Sequence, residues 1–427
     1  MNNDLTKILV NAGWMVFDKI FYLLLNIVVI VKVANHYGPY DYGLFEYATS
    51  IVAIFGIVGS FIDGRVIKKS YRNNIELVVS TVTIGRLLLS IISSIIGLIF
   101  VCLFNFSQTF LAIFIALILN NVVVEARYGM QNLFEFSLKS KKVVLSSEIA
   151  QLIGCTLQLV IVAKKYPIQY IAYVTMISAV LNFIILYSIY RKEFRRRLFS
   201  GFDCNLIKNF LIESFPLAIA ASCNIVYTKC DSIMLGSMLS TSEVGIYSIA
   251  VKLVSILQII INPVRESVYP KLIELYRNSP KKYSITYIKI TSMLTWFYIV
   301  FAAVSIMILP IILRVFKPEY APAFKVYCVY VIGSFFMFNA ALRAGHYTLI
   351  KRGNILMIAQ IISMIINVFL NYIGIRAVGM IGAAIATVIT QSISLLFSNL
   401  LFGKEGQAVF LLQIKGMNPK YIMKKVE

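Results

Sequence analysis

Asp41-Tyr42-Gly43-Leu44-Phe45-Glu46-Tyr47-Ala48 returns as Glu243-Val244-Gly245-Ile246-Tyr247-Ser248-Ile249-Ala250, an offset of 202 from position 41 to position 243. The shared pattern is acidic-x-Gly-aliphatic-aromatic-x-x-Ala, and each copy opens an apolar run. An acidic residue suits a helix N-terminus, where free N–H groups and the helix dipole favour negative charge. The glycine lets a short loop pass tightly over a bundle. A second, weaker match sets Lys142 with Ala150-Gln151 against Lys351 with Ala359-Gln360, an offset of 209. Gln158 and Asn367 then coincide as well.

Outward from these matches, apolar runs alternate with short polar ones along the whole chain. A bilayer core about 30 Å thick needs roughly 20 helical residues to cross it. That ruler places spans at 8–34, 42–66, 78–103, 109–129, 143–163, 168–190, 214–239, 246–270, 287–313, 324–349, 355–376 and 379–402. The repeat offset covers six of them, an even number, so both halves share one orientation. The expected fold is an all-α integral membrane protein of about twelve transmembrane helices, built as two six-helix halves around a central cavity. Such parallel repeats are related by an axis along the membrane normal, and they hold substrate between the halves and expose it alternately to each side. The expected organisation is an N-terminal half at 1–190, a basic cytoplasmic linker at 191–213, a C-terminal half at 214–402 and a basic cytoplasmic tail at 403–427.

Charge sets the orientation. Of 40 Lys and Arg, 25 lie in alternate loops and the termini, whereas the opposite loops hold only Lys164, Lys165, Arg314, Lys317 and Arg376. Basic residues resist translocation and meet anionic lipid in the cytoplasmic leaflet. Both termini are therefore expected inside. The net charge of +21 would suggest nucleic acid in a soluble protein. Here the orientation rule absorbs most of it, and no nucleic-acid partner is expected. The first apolar run is too long for a signal peptide and carries Asp18 and Lys19. The six cysteines form no CxxC, so neither a disulfide framework nor a metal is implied. His36 and His346 stand without a partner motif. No phosphate-cradling Gly-Lys-Ser loop, GxSxG elbow or HExxH is present, so no cofactor, enzyme activity or ATP-driven pump is expected.

Ten cations fall inside the spans: Lys19, Lys32, Arg86, Arg127, Lys229, Lys252, Arg265, Lys289, Lys325 and Arg343. A charge in hydrocarbon costs a few kcal/mol or more, so such groups face a polar cavity, pair with an acid, or snorkel to the headgroups. Lys289, Lys325 and Lys32 lie near span ends, where snorkelling explains them, and Arg86 fits either reading. Lys252 and Arg343 have no acid nearby in sequence and rank first as substrate contacts. Lys229, Arg127 and Arg265 follow, together with Arg65 of Asp63-Gly64-Arg65 at the inner mouth of span two. Glu125, Asp231 and Asp63 are the acids available to carry a coupling ion. Charged neighbours such as Glu125 and Arg127, two apart, point to different helix faces, so their partners are expected on other helices. Pro216, Pro263 and Pro270 each interrupt a span of the second half and mark bending points.

A lumen holding Arg and Lys attracts a multivalent anion, because charge-assisted bonds offset desolvation on both sides. An anionic solute and an anionic lipid headgroup fit equally at this level. Resemblance carries the reading further. Asn11-Ala12-Gly13-Trp14 leading to His36-Tyr37-Gly38-Pro39-Tyr40-Asp41-Tyr42-Gly43-Leu44 resembles the opening of the polysaccharide transporters. These are the Wzx-type O-antigen flippases of the multidrug/oligosaccharidyl-lipid/polysaccharide exporter superfamily. Lys229-Cys230-Asp231-Ser232-Ile233-Met234-Leu235-Gly236 and Gly379-Met380-Ile381-Gly382-Ala383-Ala384-Ile385-Ala386-Thr387 extend the resemblance along the chain.

The resemblance implies a bacterial inner-membrane flippase that moves an undecaprenyl-diphosphate-linked glycan from the cytoplasmic to the periplasmic leaflet, coupled to an ion gradient. Membrane lipid is its surround, and the polymerase and chain-length regulator of the same pathway are its implied partners. A multidrug exporter of the same superfamily is the alternative, as are flippases for capsular, teichoic or peptidoglycan precursors. A membrane-embedded polymerase or ligase would need a large outer loop, and none is present.

Overall fold

The computed structural model describes residues 2–71, 74–104 and 106–423, with side chains omitted at 2–13, 15–20 and 22–24. Arg72, Lys424 and Lys425 of the charge analysis fall outside the described residues, as do the side chains of Lys7, Asp18 and Lys19 and of Asn11-Ala12-Gly13 of the opening motif. Every regular element among the described residues is helical. Eleven stretches are long and apolar enough to cross a membrane, which makes the chain a multi-pass membrane protein.

Eleven stretches and twelve expected spans are reconciled at the first helix. α1 runs Asn2–Gly59, about 87 Å at 1.5 Å per residue, far beyond one bilayer core. It turns at Gly38, whose φ of 75° and ψ of 175° are a backbone conformation open mainly to glycine, with Pro39 directly after it. The two arms are the spans expected at 8–34 and 42–66.

The chain forms two compact units, Met1–Ile225 and Val226–Glu427. The first holds α1, α2 (Gly64–Ser70), α3 (Ile75–Leu103), α4 (Gln108–Phe136), α5 (Ser140–Ala163), α6 (Gln169–Phe194) and the start of α7 (Cys204–Met238). The second holds the rest of α7, α8 (Thr241–Gln258), α9 (Ile261–Asn278), α10 (Pro280–Leu313), α11 (Ala323–Asn339), α12 (Arg343–Leu349), α13 (Gly353–Val378), α14 (Met380–Leu395) and α15 (Gly403–Gly416).

The sequence repeat is also a packing repeat. In the first unit α4 packs on α3, α6 and α1, and α5 packs on α6. In the second, α11 packs on α10, α14 and α8, and α13 packs on α14. Ala48 and Ala250, which end the two matched octapeptides, are both fully buried. Small side chains at these points let neighbouring helices approach, the usual device where lipid offers no hydrophobic drive to helix association.

The segment between α6 and α7 lies on the first unit. Ser80 of α3 accepts hydrogen bonds from the Ser200 and Gly201 amides at 3.1 and 3.2 Å. Thr81 accepts from the Asp203 amide at 3.2 Å, and Leu198 is buried.

Four expected spans prove discontinuous. The chain leaves helix at Ser60–Asp63, Ile259–Ile260, Ala340–Leu342 and Leu396, which precedes a 3-10 turn at Phe397–Phe402. Only one of these breaks adjoins a proline of the earlier reading. Pro263 sits in the first turn of α9, where a missing N–H removes no helical bond. Pro216 and Pro270 lie inside the continuous α7 and α9. Backbone groups freed at such breaks need partners in the membrane, and side-chain polarity marks the breaks better than proline does.

The last two breaks are tied by one buried hub. Arg343 donates to Asn399 Oδ1 at 2.8 Å and to Ser398 Oγ at 3.0 Å. Asn399 accepts from Tyr347 at 2.8 Å and donates to Gln413 Oε1 at 2.6 Å. Gln413 in turn donates to the Leu395 carbonyl at 3.1 Å. α15 therefore folds back on its unit, from the Arg352–Glu405 ion pair to the Trp296 indole, which donates to the Met417 carbonyl at 3.0 Å. Gln413→Ala is expected to leave Asn399 and Leu395 short of partners and to cost about 1–3 kcal/mol. Thermal unfolding in detergent should fall accordingly, while the exposed Lys404→Ala leaves it unchanged.

Candidate functional site

Four of the acids and cations singled out by the sequence converge in the first unit. α1 ends at Gly59, and the last carbonyls of a helix have no partner within it. The Ser60 and Phe61 amides take those of Ile57 and Val58, and Arg86 of α3 takes two carbonyls of the break that follows. Its Nη2 donates to the Ile62 carbonyl at 2.7 Å and the Ser60 carbonyl at 3.2 Å, and Nε reaches Ile62 at 3.3 Å. Nη1 is ion-paired with Glu125 of α4. The guanidinium lies 3.4 Å from the centroid of the Tyr128 ring. Arg86 and Glu125 are 5 % and 7 % exposed, so the four bonds of the fork lie in a buried setting.

α2 begins immediately beyond the break. Asp63 caps it, its carboxylate accepting from the Arg65 amide at 2.8 Å. The same carboxylate holds the Arg65 side chain through Nε at 2.9 Å and Nη2 at 2.8 Å. The Asp63 amide donates to Ser214 of α7 at 3.0 Å. Gly64 is required by a close approach: a Cβ there would collide with the Asn132 amide and stand 2.6 Å from the Tyr128 hydroxyl. Asp63 occupies only the Nε/Nη2 edge of Arg65. Three N–H donors on the Nη1/Nη2 edge remain, on a side chain 72 % exposed. That edge matches the bidentate geometry of a phosphate.

In the second unit Asp231 of α7 is 3 % exposed and ringed by neutral groups. It accepts from the Tyr247 hydroxyl of α8, from Asn371 of α13 at 2.7 Å and from Thr387 of α14 at 2.7 Å. One helical turn from Asp231 and Thr387 stand Tyr227 and Gln391, and the Tyr227 hydroxyl, Gln391 Oε1 and Asn371 Oδ1 are buried without a hydrogen-bond partner. One carboxylate among neutral oxygens balances one positive charge, a proton or a monovalent cation. No group of three His, Cys, Asp or Glu is placed to hold a metal among the described residues.

The remaining candidates are dispersed. Arg343 is 5 % exposed inside the hub described above, so its charge is held by neutral acceptors of its own unit. Lys229, Lys252 and Arg265 are half-buried on α7, α8 and α9. Arg127 is half-buried on α4, with Nη1 3.5 Å from the Ser147 hydroxyl of α5. Sequence reasoning left Arg86 undecided, although its acid stood on the next helix. It also passed over Tyr247, Asn371 and Thr387. The available signal was Asn367-x-x-x-Asn371, two amides one turn apart in an otherwise apolar run.

Glu125→Ala would leave Arg86 buried without its counter-ion, a change that costs about 3–5 kcal/mol. The expected outcome is depletion of the protein from membranes, read by quantitative immunoblotting. Normal abundance would mean that the carbonyls and Tyr128 suffice to hold the guanidinium.

Solved structures share this fold at low identity. An inward-facing multidrug resistance MATE family transporter of the MOP superfamily superposes with a TM-score of 0.72 at 14 % identity, covering 92 % of this chain and 96 % of that one. The lipid II flippase MurJ in an inward closed conformation gives 0.70 at 16 % identity, with coverages of 95 % and 91 %. A Vibrio cholerae MATE transporter gives 0.60 at 11 % identity and covers 98 % of each chain. No curated protein matches in sequence. The polysaccharide biosynthesis protein family matches residues 8–276, well over half of the 427 residues. The chain belongs to that polysaccharide biosynthesis protein family.

Proposed function

We propose that this protein is a flippase for an undecaprenyl-diphosphate-linked oligosaccharide repeat unit, O-antigen or a similar surface polysaccharide. It works in the bacterial inner membrane with both termini cytoplasmic, and moves the unit to the periplasmic leaflet by alternating access. The observation that carries the reading is Arg65, a guanidinium whose phosphate-matching edge is held outward on a broken helix of a polysaccharide biosynthesis protein. A diphosphate presents the paired oxygens that such an edge recognises. Lys252, Lys229, Arg127 and Arg265 supply further positive charge for acidic sugars or the diphosphate. The polymerase and chain-length regulator of the same pathway would receive the product.

Coupling is assigned to Asp231. Its neutral surround and the unpartnered oxygens beside it suit a proton or sodium ion that loads and unloads during the cycle. Glu125 is committed to Arg86 and Asp63 to Arg65, which leaves Asp231 the carboxylate with no cationic hydrogen-bond partner. The same buried acid, with the likeness to MATE transporters, supports a second reading as an exporter of cationic drugs.

Reconstituted vesicles separate the two. Under an imposed proton or sodium gradient, the wild-type protein should translocate a fluorescent lipid-diphosphate glycan, and Asp231→Asn should abolish the gradient dependence at normal abundance. Gradient-driven uptake of a cationic dye with no movement of the lipid-linked glycan would overturn the flippase reading. Orientation has its own test. In a cysteine-free background, single cysteines at Ser107 and Glu319 should react with an impermeant thiol reagent on intact cells. Cysteines at Asn278 and Lys404 should stay unlabelled, and the reverse pattern would invert the topology.

A further inference from the structure

We propose that Arg86 is a positioning residue: from its buried seat on α3 it fixes the helix break at Ser60–Asp63 and so aims the Arg65 guanidinium. This rests on Arg65 being the diphosphate contact proposed above.

The peptide unit joining Ile62 to Asp63 is gripped at both ends. Its carbonyl receives Arg86 at 2.7 and 3.3 Å. Its N–H donates to the fully buried Ser214 at 3.0 Å. With both ends held, the peptide plane cannot rotate, and the Cα of Asp63 is fixed. The Asp63 carboxylate then caps α2 and clamps the Nε/Nη2 edge of Arg65. The chain of contacts therefore runs from Glu125 through Arg86 and Ile62 to Asp63 and Arg65. Tyr128 braces it twice, with its ring under the Arg86 guanidinium and its hydroxyl against Gly64.

The side chain has to be arginine. Two carbonyls, one carboxylate and one aromatic face lie in different directions, and a planar five-donor fork meets them together, whereas an ammonium is a point charge. The second repeat provides an internal comparison. By the offset of 202 that matches the octapeptides, the position of Arg86 falls on Ile288, buried on α10. There Gln258, at the end of α8 before the Ile259–Ile260 break, donates to Ser334 of α11 at 2.8 Å. At this break the guanidinium staple belongs to the first unit, the same unit that presents the clamped Arg65.

The test is a double-mutant cycle on the full-length protein in vesicles, with a fluorescent lipid-diphosphate glycan as substrate. Arg65→Ala and Arg86→Lys should each raise the apparent KM, by roughly ten- to hundredfold for loss of a charge-assisted contact, with kcat little changed. In the Arg65→Ala background, Arg86→Lys should add almost nothing, because coupled residues give non-additive effects. An unchanged KM for Arg65→Ala would overturn the reading of Arg65 itself. A raised KM for Arg65→Ala that multiplies with Arg86→Lys, or an Arg86→Lys effect confined to kcat, would overturn the positioning role alone. If Arg86→Lys fails to accumulate, Ser214→Ala releases the other end of the same peptide. It should raise KM a few-fold in the wild type and not in Arg65→Ala, and additivity there would overturn the proposal equally.

Discussion

A helix that stops inside a bilayer exposes backbone groups that water cannot reach, and each must find a partner in a turn of the chain itself or in a side chain. The protein breaks helix at four places within expected spans, and its buried polar residues are organised around those breaks. Arg86 meets the first, through Ser60 and Ile62. Gln258, bonded to Ser334, stands at the second. Arg343, Asn399 and Gln413 join the last two, and Gln413 takes the Leu395 carbonyl directly. Breaks in turn provide what continuous helices lack. They place a helix start, with its capping acid, in the middle of a span and give a guanidinium such as Arg65 a rigid base.

The same requirement sorts the embedded charges by task. Arg86 and Arg343 are each about 5 % exposed; Arg86 bonds two carbonyls and the Glu125 carboxylate, and Arg343 an amide oxygen and a hydroxyl, all within their own units. Charges used in this way hold geometry, since turning them to a substrate would break the bonds they already make. Arg65 differs because its acid takes one edge and leaves another open. Asp231 differs in the opposite sense. Its donors are neutral, so its charge state is free to change without breaking an ion pair, and a coupling group needs that freedom.

The fold was legible to the extent that it follows from composition and period. Apolar runs of bilayer length announced the helices, and the octapeptide repeat announced two halves whose helix packing the structure repeats. Boundaries were less legible where polar turns extend a helix beyond its apolar run. α7 starts at Cys204, ten positions before the expected 214, and α10 starts at Pro280, seven before 287. Hydropathy registers the apolar part of a helix alone, and the Asp203 carboxylate that accepts from the Asn205 and Leu206 amides, or the bond of the Asp203 amide to Thr81, lies outside it. The breaks were legible only in part. Proline predicted three interruptions and marked one, since Pro216 and Pro270 sit inside continuous helices.

The site was legible as an inventory and not as a set of partners. Sequence separated Arg65, Asp63, Glu125 and Asp231 from the rest by charge in an apolar context, which needs no knowledge of the third dimension. It ranked Arg343 high because no acid stood nearby in sequence, yet a buried cation is satisfied by carbonyls and amides as well as by acids, and Asn399 and Ser398 are 56 and 55 residues away. It could not separate Arg86 from a snorkelling residue, since depth along a span does not say what faces it. The distinction comes from direction. Arg86 points at a broken backbone, and in a bilayer a broken backbone is the strongest neutral acceptor that a guanidinium can find. Where a first-half helix fails and an arginine stands two turns into the next, the pair should be read as one device.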